Sequence, residues 1–140
     1  MKYLLDASAL MLLIKTADTE STVDFLQDSM VLDLTFYEVG NAIWKEGTLT
    51  KYLTSKEAEK MGTTAQTILA KISKVTNEAD AFQKILEIAQ TEKLSYYDSS
   101  YIHSAKETQL KLISEDKELR TKARKYVDVS TVAALSSSEK

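Results

Sequence analysis

Four acids stand where this chain could do chemistry: Asp6, Glu38, Asp98 and Asp116. Asp6 closes the apolar run Tyr3-Leu4-Leu5, which suits a buried strand. Glu38 falls in the first turn of a helical segment that follows a second strand at Val31–Leu34. Asp98 begins a helix that precedes a strand at Leu110–Ser114, and Asp116 lies just beyond that strand. In parallel β–α–β units, the C-terminal end of a strand and the N-terminus of the next helix share one edge of the sheet. All four acids are therefore expected at the edge where open α/β sheets bind ligands. Converging carboxylates repel and raise one another's pKa values, and a divalent cation relieves that conflict. Oxygen ligands without sulfur or imidazole point to Mg²⁺ or Mn²⁺ rather than zinc. Such an ion lowers the pKa of a bound water, neutralises a phosphate oxygen and orients in-line attack, so a phosphodiester is the natural substrate. Each acid alone is also explained by helix capping and the macrodipole. Ser8 and Ser114 are likewise explained by backbone N–H groups that need an acceptor. The joint placement carries the functional reading.

Composition narrows the chemistry further. The chain has 140 residues, 44% of them apolar and 28% charged, which fits one globular domain. No cysteine is present, so disulfide scaffolds, Cys-ligated zinc and thiol catalysis are excluded; one histidine, His103, excludes multi-His metal sites. No apolar run approaches the ~18 residues of a membrane span. The first residues meet Asp6 too early for a signal-peptide core, so a cytoplasmic protein with no membrane contact is expected. The net charge of −3 argues against a general electrostatic grip on nucleic acid, though not against a local basic patch. Among the bases there are just two arginines, Arg120 and Arg124.

The elements that must position the acids follow from periodicity. With no proline and three glycines, the chain should be rich in helix with short connections. Ser8 is expected to cap a short helix at Ala9–Ile14, and Thr19–Gln27 to form another with Val23 and Leu26 inward. From Tyr37 the helical face Val39, Ala42, Ile43 runs until Gly47 stops it. Thr54 and Glu57 form a capping box for a helix whose apolar positions extend to Val75. Asn77 is expected to cap the next helix, with Ala79, Phe82, Ile85, Leu86 and Ala89 inward, and these two helices to form an antiparallel pair. A basic helix at Lys117–Lys125 and a last strand at Tyr126–Val129 follow. Strands separated by helices imply a three-layer α/β/α fold around a central parallel sheet of about four to five strands. Residues 1–135 form a single domain, and 136–140 a flexible polar tail.

At these residues the chain resembles the PIN-domain ribonucleases, specifically the VapC-type toxins of prokaryotic toxin–antitoxin pairs. The opening Tyr3-Leu4-Leu5-Asp6-Ala7-Ser8-Ala9-Leu10 resembles the family's strand ending in Asp-x-Ser/Thr. The segment Glu38-Val39-Gly40-Asn41-Ala42-Ile43 is similar to its Glu-x-x-Asn helix start. Tyr97-Asp98-Ser99-Ser100-Tyr101-Ile102, followed by Leu112-Ile113-Ser114-Glu115-Asp116, resembles its paired-aspartate C-terminal block. The resemblance implies a PIN-like fold and makes Asp6, Glu38, Asp98 and Asp116 the catalytic, metal-binding acids. It makes Ser8 and Ser114 hydrogen-bond partners beside the metal, and Asn41 a polar support. It further implies RNA cleavage with Mg²⁺ or Mn²⁺, leaving a 5′-phosphate and a 3′-hydroxyl, a homodimer, and neutralisation by a cognate antitoxin. Gly40 departs from a good helix interior, at a cost of about 1 kcal/mol relative to Ala.

Lesser residues complete the expectation. His103 lies five positions past Asp98, about 140° around a helix, and reads as a solvated or capping side chain, with an RNA contact as the alternative. Lys45, Lys117, Arg120 and Arg124 are candidate phosphate contacts, the last three on a helix that is otherwise a solvated face. Trp44 reads as core or interface. Wide apolar stripes at Val39–Trp44 and Ile68–Ile72 motivate the homodimer. Two alternatives share the layout: a haloacid-dehalogenase-like phosphatase, which needs a second Asp where Ser8 stands, and a non-catalytic PIN-like RNA-binding or scaffold module. A response-regulator receiver lacks its early acidic pair here.

Overall fold

The computed structural model describes residues 1–16 and 20–138. At its centre β1 (Tyr3–Leu5) is buried along its whole length. Around it the chain places β2 (Ser29–Leu32), β3 (Ser73–Val75), β4 (Lys111–Ile113) and β5 (Val129–Ser130). The sheet order is β3-β2-β1-β4-β5, and every pairing is parallel. Parallel neighbours need crossovers, which the helices supply on both faces.

The pleat sorts the layers. Tyr3, Leu5, Val31 and Ile113 face a core built with α1 (Ala7–Lys15), α2 (Glu20–Gln27), α3 (Asp33–Trp44), α4 (Ser55–Lys71) and α8 (Val132–Ser138). Leu4, Leu32 and Leu112 point to the other face, against α5 (Phe82–Glu92), α6 (Tyr96–Thr108) and α7 (Lys117–Ala123). Alternate residues of one short strand thus anchor two cores, giving the expected three layers. Burying a leucine as completely as Leu4 or Leu5 is worth about 1.5–3 kcal/mol, so β1 contributes to stability far beyond its length.

Several local expectations are corrected. Asp6, not Ser8, caps α1: its carboxylate accepts from the Ala9 N–H at 2.9 Å. The second strand lies earlier than expected, and α3 starts at Asp33, so Glu38 sits in the second turn rather than the first. Gly47 does not stop the chain, which passes from α3 into a π-helical turn at Lys45–Leu49. The capping box at Thr54 and Glu57 forms as expected, with bonds of 2.9 and 3.1 Å. Helix α4, however, ends at Lys71, and Val75 belongs to edge strand β3, whose polar, partly exposed residues hid it among the apolar positions of α4. Asn77 caps no helix; its Oδ1 accepts from Ser104 Oγ at 3.0 Å, and α5 is entered through a 3₁₀ turn at Ala79–Ala81. Helix α5 packs on α6, while α4 packs on α3, so the expected α4–α5 pair does not form. Phe82 is exposed and stacks near Tyr96.

On α2 the inward aromatic is Phe25, stacked on Tyr3 with ring centroids 4.8 Å apart, and Val23 is exposed; Thr19 lies outside the described residues. The last strand is shorter and later than expected, and α8 carries the chain as a helix through Ser138, into the segment expected to be a tail. His103 is buried rather than solvated, because α6 is enclosed around most of its circumference between the sheet and α5. Of the apolar stripes expected to form a dimer, Val39, Ile43, Leu69 and Ile72 are spent in the core, while Trp44 is exposed. Helices α5 and α6 both end on non-glycine residues in the left-handed region, Lys93 at φ 56° and Gln109 at φ 59°. A glycine would be easier there, but few were available.

Candidate active site

The register of β1 and β4 creates the site. Leu5 pairs with Ile113, and the ladder continues one rung further through the Asp6 N–H, which donates to the Ile113 carbonyl at 3.1 Å. The next residue on each strand, Asp6 and Ser114, therefore emerges side by side at the C-terminal edge. Ser114 Oγ donates to Asp6 Oδ2. Ser8 Oγ donates to Asp6 Oδ1 at 2.6 Å, beside the Ala9 N–H. Both serines have thus committed their single hydroxyl proton to Asp6. The 3.4 Å separation of their oxygens is therefore a contact without a proton. Each serine also accepts from the β4–α7 loop: Ser8 from the Glu115 N–H at 2.9 Å, Ser114 from the Asp116 N–H at 3.0 Å. The roles given to Ser8 and Ser114 have a physical basis in this network, which knits the end of β1 to the start of α7.

The other acids arrive from three helices. Asp116 caps α7, accepting from the Leu119 N–H at 3.1 Å, and is exposed. Asp98 lies in the first turn of α6; the cap is Ser95, whose hydroxyl accepts from the Asp98 N–H at 3.0 Å. That leaves the Asp98 carboxylate unneeded for capping. Glu38 is likewise no cap, and Tyr101 O–H donates to its Oε1 at 2.6 Å. The capping explanation thus accounts for Asp6 and Asp116 but not for Glu38 and Asp98.

Electrostatics link the four. Burial raises the Asp6 pKa above the usual carboxylate range; its three hydrogen bonds pull the other way, and Asp116 adds repulsion. Glu38 is raised by burial, lowered by Tyr101, and raised again by Asp98 and Asp6. Asp98 is pushed up to about 6 by burial, then by the charges of Asp116, Asp6 and Glu118, with Ser95 opposing. No ion pair among the described residues involves any of the four acids. Among the described residues no three acidic or histidine side chains close into one coordination group. The carboxylates feel one another's charge without touching, the expected rest position of like charges with nothing between them. An all-oxygen donor set whose members raise one another's pKa fits a hard divalent cation, Mg²⁺ or Mn²⁺.

The remaining candidates divide by location. Asn41 is exposed on α3, and Lys45 is exposed two helical turns beyond Glu38. Lys117 is exposed at the start of α7, directly after Asp116. Arg120 is committed internally: its Nη1 donates to the Ser114 carbonyl at 2.9 Å, bracing the same strand end that holds Asp6. Arg124 lies at the far end of α7, lining a 410 Å³ cleft with Gln109, Leu110 and Lys111, which lead into β4. That is the opposite edge of the sheet, so Arg124 does not join the acids. Lys122 pairs with Glu118 at 2.9 Å and Lys125 with Glu92 at 2.7 Å. The basic helix therefore presents less free charge near the acids than its sequence promises.

Two residues with no role in the sequence reading stand behind Glu38: Tyr101 and Thr35, both fully buried. Spacing was the available signal, because Tyr101 lies three residues past Asp98, one turn along the same helix face.

Comparison with known proteins follows the same geometry. The family model described as the PIN domain matches residues 3–125. The chain is 31% identical to Exonuclease VapC9 of Pyrobaculum aerophilum over 134 residues, covering 94% of this chain and 92% of that protein. It is similar to the crystal structure of PAE2754 from Pyrobaculum aerophilum, with a TM-score of 0.80 at 27% identity, covering 96% of this chain and 93% of that one. The crystal structure of FitAcB from Neisseria gonorrhoeae shares the fold at a TM-score of 0.57 and 19% identity, covering 91% of this chain and 95% of that one.

Proposed function

This chain belongs to the PIN-domain family, and on that premise we propose that it is a Mg²⁺- or Mn²⁺-dependent ribonuclease, the toxin component of a VapC-type toxin–antitoxin pair. The observation that carries this reading is the mutual repulsion of Asp6, Glu38 and Asp98, with Asp116 adding to it, at one sheet edge without a basic partner. A scaffold would gain nothing from that arrangement. The phosphatase alternative falls with the family assignment and with Ser8 at the position where its second Asp is needed.

In this reading Asp6, Glu38, Asp98 and Asp116 hold the cation. When bound, the cation supplies charge for a phosphate oxygen and acidifies a water. The protein's own share is positional. Asp6 is immobilised by three donors, which oppose the burial that favours the neutral acid. Asp98, whose carboxyl is pushed up to about 6 by burial and then by the charges of Asp116 and Asp6, is the acid whose repulsion a held cation would relieve. Lys117 and Lys45 supply phosphate contacts on the approach to the acids, offsetting the negative field of the site. Asn41 lines the same approach along α3.

The partners are RNA, a cognate antitoxin and a second copy of the chain, and the setting is the cytoplasm. No helix among the described residues is long and apolar enough to cross a membrane. The test is cleavage of a 5′-labelled RNA with Mg²⁺ or Mn²⁺, with chelator, and with Asp6→Asn. Loss of cleavage in the last two supports the reading, and internal fragments with 5′-phosphates distinguish endonuclease from stepwise exonuclease action. Hydrolysis at full rate in chelator refutes it.

A further inference from the structure

Glu38 is the acid of the four with the longest side chain. It is neither a cap nor a strand-end residue, and its carboxylate stands at the end of a side chain with three rotatable bonds. Tyr101 is its hydrogen-bond partner among the described residues, and the hydrogens in that region can be assigned by elimination. The Leu32 N–H donates to Thr35 Oγ1 at 3.1 Å, so the Thr35 hydroxyl acts there as acceptor. Thr35 Oγ1 and Tyr101 Oη are 2.7 Å apart. Tyr101 has one hydroxyl proton, and the Glu38 carboxylate can take it but offers none back. The Thr35 proton therefore lies toward Tyr101, and the Tyr101 proton toward Glu38 Oε1 at 2.6 Å. Three bonds run in one direction, from the backbone at the end of β2 to the carboxylate. Aligned donors of this kind strengthen one another in a buried setting.

A tyrosine held by Thr35 alone would have its oxygen satisfied but its buried O–H left without an acceptor. Tyr101 is instead fully buried in the core that holds Leu4 and Leu32, and it spends its proton on an acid of the cluster. We propose that Tyr101, seated on Thr35, is a positioning residue that fixes Glu38 through Oε1 and leaves Oε2 to the cation. This rests on the reading of Glu38 as a metal-holding acid. The chain Leu32–Thr35–Tyr101–Glu38 ties that acid to the end of β2, much as Ser114 ties Asp6 to β4. Two of the acids are then referenced to the sheet rather than to their own flexible side chains. Groups that orient metal-holding side chains characteristically matter about 10–100-fold for metal affinity or activity.

The experiment compares wild type with Tyr101→Phe, Thr35→Val and Thr35→Ser, starting from metal-free protein. Mn²⁺ binding is titrated by calorimetry below the melting temperature of every variant, and folding is checked by near-ultraviolet circular dichroism. Tyr101→Phe should weaken Mn²⁺ binding about tenfold and lower kcat while KM for RNA stays unchanged. Thr35→Val should weaken Mn²⁺ binding by a smaller factor, Thr35→Ser should restore it, and the Thr35→Val and Tyr101→Phe double variant should be no worse than Tyr101→Phe. Folded Tyr101→Phe protein with wild-type Mn²⁺ affinity overturns the inference. Thr35→Ser as defective as Thr35→Val overturns it too, since the hydroxyl would then not be the active element. Wild-type protein that binds no Mn²⁺ overturns the metal-holding reading of the acids, and this inference with it.

Discussion

Ser114 hands its only hydroxyl proton to Asp6 across the junction of two neighbouring strands, and in the same position accepts the N–H of Asp116. One small side chain thereby fixes two of the four acids. It is wholly buried, and Asp6 is buried with it.

Ser114→Ala should therefore destabilise the protein by about 2–3 kcal/mol, the combined cost of a carboxylate and a backbone N–H left short of a partner in the interior. Urea denaturation with an unchanged slope and a lower midpoint is the expected result. A midpoint equal to wild type would show that the loop relaxes to satisfy both groups.

Asp98 gives a pH prediction with a definite sign. Its carboxyl holds a proton more tightly in the folded protein, up to about pH 6, than in the unfolded chain near its ordinary value of 3.8. Below both values the group contributes nothing; as pH rises from about 4 to 6 it takes stability away, and the loss persists at neutrality. Asp98→Asn should make the metal-free protein more stable than wild type at pH 7 by on the order of 1 kcal/mol, water screening the half-exposed carboxyl. The gap should vanish near pH 3.5. A difference that does not change with pH would remove the repulsion from the account.

Added Mn²⁺ should reverse that ranking. Wild type should gain melting temperature with ion concentration as binding draws the equilibrium to the folded state, and Asp98→Asn should gain little. Equal gains in both proteins would exclude Asp98 from the ion's ligands.

Salt dependence should separate the bases that the sequence grouped together. Lys117→Ala should lower the slope of RNA affinity against salt by about 0.7, the value for one phosphate contact on a single strand. Arg124→Ala should leave that slope unchanged, because Arg124 lies at the opposite sheet edge. Measured in an Asp6→Asn background to prevent cleavage, a reversed pattern would move the RNA path away from the acid edge.

Gly40 lies in the interior of α3, and a β-carbon there would meet nothing within 4 Å. Gly40→Ala should stabilise the chain by about 1 kcal/mol through helix propensity and loss of unfolded-state entropy. A lower melting temperature for this variant would indicate that the open space at Gly40 is filled by something the isolated fold does not contain.

Sequence alone determined which acids could matter and on which edge they emerge. That is because Asp6 follows an apolar run too short to be anything but a strand, and because β–α–β crossovers have a fixed sense. It also determined the capping box at Thr54, where both partners lie within one helical turn. Tertiary structure decided what local pattern could not carry. Edge strand β3 is short and half exposed, and its one apolar residue, Val75, continues the apolar rhythm of α4 with no sign of the break. Arg120 lies in a seven-residue helix and Arg124 caps its C-terminal end, yet one braces the acid edge and the other faces away, a distinction that arises only when that helix is laid across the sheet. The support behind Glu38 depends on Thr35 and Tyr101, sixty-six residues apart, whose hydroxyls meet because α3 and α6 pass the same strand end from opposite layers. Local sequence fixes a residue's chemistry and its helical face. The partner across a core is settled by packing, which joins segments that have no relation along the chain.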